Sequence, residues 1–191
     1  MRRVLLLGLL ALALPLAAAA SSIDITNIGG TIAGSASGLS LSGSTVISYG
    51  GIVGSNLGTV TFTTGGFSSG NVTIGGTLMA GGTLTITGNG SVSGVPNGVI
   101  FSGTFTSAQW VLSDKPGGGY ELKATFISTS GGSAGHFGEF TLAGTLNENG
   151  TITLGSGDII LNSVPEPGTL VLLGTGLLGI GGLVRRKRIL G

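Results

Sequence analysis

The amino-acid sequence predicts an all-β fold: an antiparallel β-sandwich or barrel-like domain, flanked by an N-terminal signal peptide and a C-terminal transmembrane helix. Three observations lead there. Glycine makes up 40 of the 191 residues, and its backbone entropy disfavours long helices. Thr, Val, Ile and Phe supply much of the remaining pattern and suit strands. Short runs alternate apolar and polar residues with period two and are separated by glycines and Asn-Gly pairs, as expected of strands with one wet face joined by tight turns.

The first element is the leader, "MRRVLLLGLLALALPLAAAASS". Arg2 and Arg3 form a charged start, residues 4–14 an apolar stretch, and Pro15 breaks the helix before small residues. Ala18 and Ala20 form an A-x-A cleavage site that leaves Ser21 as the first mature residue. The residues around Arg2-Arg3 do not build a twin-arginine signal. Residues 1–20 are therefore read as a signal peptide and residues 21–162 as an extracytoplasmic β-rich domain.

Within that domain, alternation is clearest in "TVTFTT" (Val60, Phe62) and "TLTIT" (Leu84, Ile86). In "GYELKATFIS", Tyr120, Leu122, Ala124 and Phe126 share one face, while Glu121, Lys123 and Thr125 share the other. "TITL" repeats the pattern with Ile152 and Leu154. Asn89-Gly90, Asn97-Gly98 and Asn149-Gly150 suit tight hairpins because both residue types tolerate positive φ. "SDKPGGGY" reads as the turn of a hairpin between "AQWVL" and "YELKATFIS". Phe105, Trp110, Leu112, Tyr120, Leu122 and Phe126 are the expected core. The first half is poorer in aromatics, which makes a β-solenoid the second architecture, although no fixed repeat length is present.

Charge narrows the function classes. Arg2, Arg3, Arg185, Arg186, Lys187 and Arg188 lie at the two ends. Between them two lysines face Asp24, Asp114, Glu121, Glu139, Glu148 and Asp158, a net charge of −4. An acidic body argues against nucleic acid, whose phosphates require clustered cations. The lack of cysteine excludes a disulfide framework, a thiolate metal site, a cysteine nucleophile and lipoprotein-type acylation.

Several motifs resemble chemistry and lack its context. Residues 174–179 spell G-x-G-x-x-G, with no preceding strand and no acidic residue downstream. Thr175 and Gly179 there suit close packing against a membrane helix instead. "GFSSG" (66–70) and "GGSAG" (131–135) spell G-x-S-x-G, and chance alone supplies about one such match at this composition. The second precedes His136, the only histidine, so Ser133, His136 and Asp158 would be the triad to consider. An elbow of that kind needs a strand-turn-helix, and the body offers no helix. "GSGD" (155–158) carries one aspartate where calcium needs six to eight oxygens. Asp158 reads as a turn or edge-strand charge. Asn71, Asn89 and Asn149 begin N-x-[ST] sequons, two of which coincide with Asn-Gly turns. No enzyme activity, cofactor or metal site is expected.

The last element is the tail, "SVPEPGTLVLLGTGLLGIGGLVRRKRILG", residues 163–191. Two prolines keep the segment around Glu166 extended and out of both sheet and helix. Residues 168–184 form an apolar run slightly short of the ~20 residues that span a bilayer, and flanking cations can snorkel. Arg185, Arg186, Lys187 and Arg188 act as a topological stop that holds this end in the cytoplasm.

Pro-Glu-Pro, a glycine-interrupted apolar helix and a basic cluster, in that order, resemble the PEP-CTERM sorting signal. Val164, Pro165, Glu166 and Pro167, continuing to Thr169, match its opening; Ile189, Leu190 and Gly191 extend past the usual basic end. The resemblance implies a bacterium with a Gram-negative-type envelope and transient anchoring in the inner membrane. It also implies processing by an exosortase-type enzyme and a link to exopolysaccharide and biofilm. The expected product is a structural or adhesive protein of the cell surface or extracellular matrix. A carbohydrate-binding module is the alternative, with Trp110 and Tyr120 as possible ligand contacts, and a secreted hydrolase stands third. Trp and Tyr occur only at Trp110, Tyr49 and Tyr120, and Trp110 lies in the strongest strand, which favours its burial.

Overall fold

A computed structural model describes residues 22–112, 119–130, 137–147 and 151–162. The leader, the tail, Ser133, His136 and the Asn149-Gly150 pair lie outside the described residues.

The period-two runs become eleven strands: β1 (Ser22–Ile28), β2 (Thr31–Ser35), β3 (Gly38–Tyr49), β4 (Ile52–Thr64), β5 (Phe67–Asn71), β6 (Gly75–Leu78), β7 (Gly81–Asn89), β8 (Asn97–Leu112), β9 (Tyr120–Ser130), β10 (Phe137–Leu146) and β11 (Ile152–Asn162). Eight of them pair in the order β8-β7-β4-β3-β1-β11-β10-β9, and β9 returns to β8. Every pairing is antiparallel. The architecture is a closed barrel, neither a two-sheet sandwich nor a solenoid, and its first half forms staves of the same wall. Closure removes the exposed edges that an open sheet would present. Asp158, expected at a turn or an edge, stands inside β11 with Thr26 on one side and Thr141 on the other.

Two staves are broken rather than continuous. β1 and β2 both lie between β11 and β3, separated by Gly29-Gly30. Gly30 has φ +96, and a Cβ there would stand 2.7 Å from the Ser42 carbonyl oxygen, so only glycine fits the break. The second break bends a long hairpin. Its lower arms, β4 and β7, belong to the barrel, while its upper arms, β5 and β6, pair with each other as a flap. β6 also pairs with β8, at Leu78↔Ala108, Thr77↔Gln109 and Gly76↔Trp110.

An eight-stranded barrel is just wide enough for side chains to fill it, and here they do. Val60, Phe62, Leu84, Ile86, Leu122, Phe126, Ile152 and Leu154 all point inward and are buried. Phe62 meets Phe105 edge-on at 5.8 Å and Phe140 at 5.4 Å, so one aromatic cluster ties opposite walls together. Of the expected core, Phe105, Trp110, Tyr120, Leu122 and Phe126 are buried, and Leu112 is 48% exposed. Leu112 ends β8 opposite Tyr120, and the flap residue beside it, Gly75, has no side chain with which to cover it. The Asn-Gly pairs also differ from expectation: Asn89-Gly90 and Asn97-Gly98 flank one loop between β7 and β8 instead of making two tight hairpins.

Candidate functional site

The flap lies over one end of the barrel and carries the most specific side-chain chemistry in the structure. Asn71 turns its tip, with Oδ1 accepting from the backbone N–H groups of Thr73 (2.9 Å) and Ile74 (3.0 Å). Such a turn suits an asparagine better than a hydroxyl side chain. Trp110 Nε1–H donates to the Val72 carbonyl at 2.9 Å, and the Tyr120 hydroxyl donates to the Thr73 carbonyl at 2.8 Å. The two rings stack 4.9 Å apart with planes 2° from parallel. Val72 packs against the core and lies over Gly34 of β2, where a Cβ would meet its methyls at 2.7 Å. The tip therefore spans the barrel end from β8 and β9 to β2.

This geometry makes the aromatic pair a latch. Trp110 is 1% and Tyr120 5% exposed, and their polar atoms are satisfied by the flap. Neither presents a ring to solvent for a sugar to stack on.

What faces solvent is the outer wall beside the flap. A shallow groove of about 440 Å³ crosses β6, β8, β9 and β10, with Thr77, Gln109, Lys123, Thr125 and Glu139 along it. It adjoins a second depression of about 480 Å³ through the shared residues Thr77 and Gln109. That second part is edged by Ile74, Val111 and Leu112, all exposed. Thr125 accepts or donates short hydroxyl bonds with Thr106 (2.8 Å) and Ser107 (2.7 Å). The two adjacent residues share one partner because a bulge in β8 sets both on the outside. Lys123 Nζ lies 3.5 Å from Glu121 Oε2 and is itself 58% exposed. The groove can thus offer an amide, an ammonium, a carboxylate and hydroxyls to a neutral polar ligand.

The other motifs are not brought together. Ser68 and Ser69 lie in β5, an extended strand with no helix behind it, and the Ser68 hydroxyl donates to Thr77 O. Asp158 accepts from the Thr26 hydroxyl at 3.1 Å on the outer wall. Among the described residues no three His, Asp or Glu side chains could jointly hold a metal ion.

Sequence reasoning missed Asn27. It is fully buried in the barrel, its Nδ2 donates to Ser44 Oγ at 2.7 Å, and its Oδ1 has no hydrogen-bond partner. The parity of β1 contained the signal, since Ile25 and Asn27 share the inward face.

Comparison with known proteins places one segment. Residues 163–188 match the PEP-CTERM protein-sorting motif. Neither the curated proteins nor the solved structures hold a match to the chain. The motif implies export, sorting during membrane transit and processing by an exosortase, a membrane enzyme.

Proposed function

We propose that residues 21–162 form a non-catalytic structural and adhesive module of the cell surface or its polysaccharide matrix, delivered by the sorting tail. The supporting observation is the pairing of that tail with a barrel whose interior is filled. Among the described residues the barrel interior is packed with side chains, which leaves the outer wall as the surface read for contact with partners. The family's association with exopolysaccharide suits such a surface.

A second reading, a carbohydrate-binding module, is favoured by the outer groove and not by Trp110 and Tyr120. Sugar hydroxyls would meet Gln109, Lys123 and Glu139, while Ile74, Val111 and Leu112 take the apolar ring faces. The test is retention of the protein on envelope polysaccharides, comparing wild type with Gln109→Ala/Lys123→Ala. Losing two polar contacts should weaken retention by roughly tenfold or more. Retention equal in both proteins removes the groove, and no retention of wild type on any polysaccharide removes the adhesive reading.

A further inference from the structure

Exposed apolar side chains gather at the barrel end from which both termini leave. Ser22 pairs with Asn162, so the first and last described residues stand side by side. Asn162 pairs on its other side with Phe137, and Phe137 with Ile127. These two point outward at 48% and 49% exposure, and Ile160 lies one outward position back from Asn162. The β3–β4 turn reaches the same end, because Gly50 N–H donates to Asp24 O at 2.8 Å. Val53, just past that turn, is 77% exposed. The β7–β8 loop joins it, since a Cβ on Gly94 would stand 2.7 Å from Ile52 Cδ1. Val99 follows that loop and is also exposed. The flap end carries a second exposed apolar group, Ile74, Met79, Val111 and Leu112, and apolar groups of this kind mark interaction surfaces.

Two facts select the occupant. Only residues 163–167 separate Asn162 from the apolar run that begins at Gly168. Five residues reach at most roughly 18 Å even when fully extended, and the headgroup layer of a bilayer is itself about 5–8 Å deep. A tail seated in a membrane therefore keeps this rim within reach of lipid. Among the described residues, the charges nearest the rim are the carboxylates of Asp24 and Glu139, while Lys123 lies two outward positions beyond Ile127. Attraction to anionic headgroups does not explain the surface, and apolar insertion does.

We propose that this rim docks on the bilayer while the tail is inserted, with Phe137, Ile127, Ile160, Val53 and Val99 entering the interfacial layer. The inference rests on the sorting reading of the tail. Docking would hold the recognition peptide at the membrane surface, where a membrane-embedded processing enzyme works.

The test uses the full chain reconstituted in phosphatidylcholine vesicles containing spin-labelled lipid. Because the sequence has no cysteine, Ile127→Cys at the rim and Ile74→Cys on the flap each accept one fluorophore. The expected result is strong lipid quenching of the rim label and little at the flap. Adding Phe137→Thr and Val53→Thr should lower the docked population on the order of tenfold. Near-UV dichroism of the Trp110–Tyr120 stack checks that this variant is folded. If it is not, Val53→Thr alone serves, since that side chain packs against little. Equal quenching at both labels, or rim quenching indifferent to the threonines, overturns docking and leaves the sorting reading intact. Failure of the full chain to float with the vesicles overturns both.

Discussion

Strands β3 to β8 carry no charged residue, whereas β1, β9, β10 and β11 display Asp24, Glu121, Lys123, Glu139 and Asp158 on their outer surface. From residue 25 to residue 113 the sequence contains no Asp, Glu, Lys or Arg at all. The neutral half solves solvation with hydroxyls instead. Thr59, Thr61 and Thr63 of β4 stand opposite Thr87, Thr85 and Thr83 of β7, and the last pair is hydrogen-bonded at 3.2 Å. Each threonine keeps a methyl over the wall and a hydroxyl toward water, which suits a strand on both counts. The charged half relies on Lys123–Glu121 and Thr26–Asp158, contacts that salt weakens. Closure therefore does not depend on surface charge. Register is set by what points inward, because a slip of one residue would turn Val60 and Phe62 out to water.

The two halves share one core. Phe140 belongs to the charged half but packs on Phe62 of the neutral one. Phe140→Ala and Phe62→Ala should each cost about 3–5 kcal/mol and preserve a single urea transition. Two transitions, or costs that differ several-fold, would show that the halves unfold separately.

A smaller effect should separate two glycines. A Cβ on Gly58, in the neutral half, would collide with the Thr87 carbonyl oxygen, whereas one on Gly155 would meet nothing nearer than the Ala143 carbonyl oxygen at 3.5 Å. Gly58→Ala should destabilise by about 1–3 kcal/mol, and Gly155→Ala by less than about 0.5 kcal/mol. Similar melting temperatures for both variants would remove the idea that β4 and β7 need close backbone approach.

The smallest effect concerns the ladder itself. Thr61→Val with Thr85→Val keeps the branched shape and strand propensity, so stability should stay within about 0.5 kcal/mol of wild type. Solubility should fall instead, as measured by light scattering against concentration. A large loss of stability would show that the hydroxyls hold the wall together.

Much of this was legible because alternation encodes a wall directly. In "YELKATFIS" and "TVTFTT" each residue's face follows from parity, and the buried positions agree. Parity is silent on whether the wall closes, since closure depends on β1 finding β11. It failed at Leu112, which ends β8 opposite Tyr120 and is half exposed, and it held at Asn27 against that side chain's polarity. The flap left no local signature, because what fixes it is the contact of the Val72 and Thr73 carbonyls with Trp110 and Tyr120, residues far away in sequence. The sorting motif in the tail was the clearest feature of all, since residue identity alone specifies it.

The seam between β1 and β11 has a consequence for timing. Thr26 and Asp158 meet across 132 positions of the chain, so the first stave must wait for the last before the wall can close. Such distant pairing is slow, because the intervening chain must be ordered first. In an exported chain that emerges amino end first, β1 keeps one edge open until β11 has appeared. Asn162 completes the seam, and the segment that matches the sorting motif begins at the next position. The barrel thus becomes closable at almost the moment its address can be read.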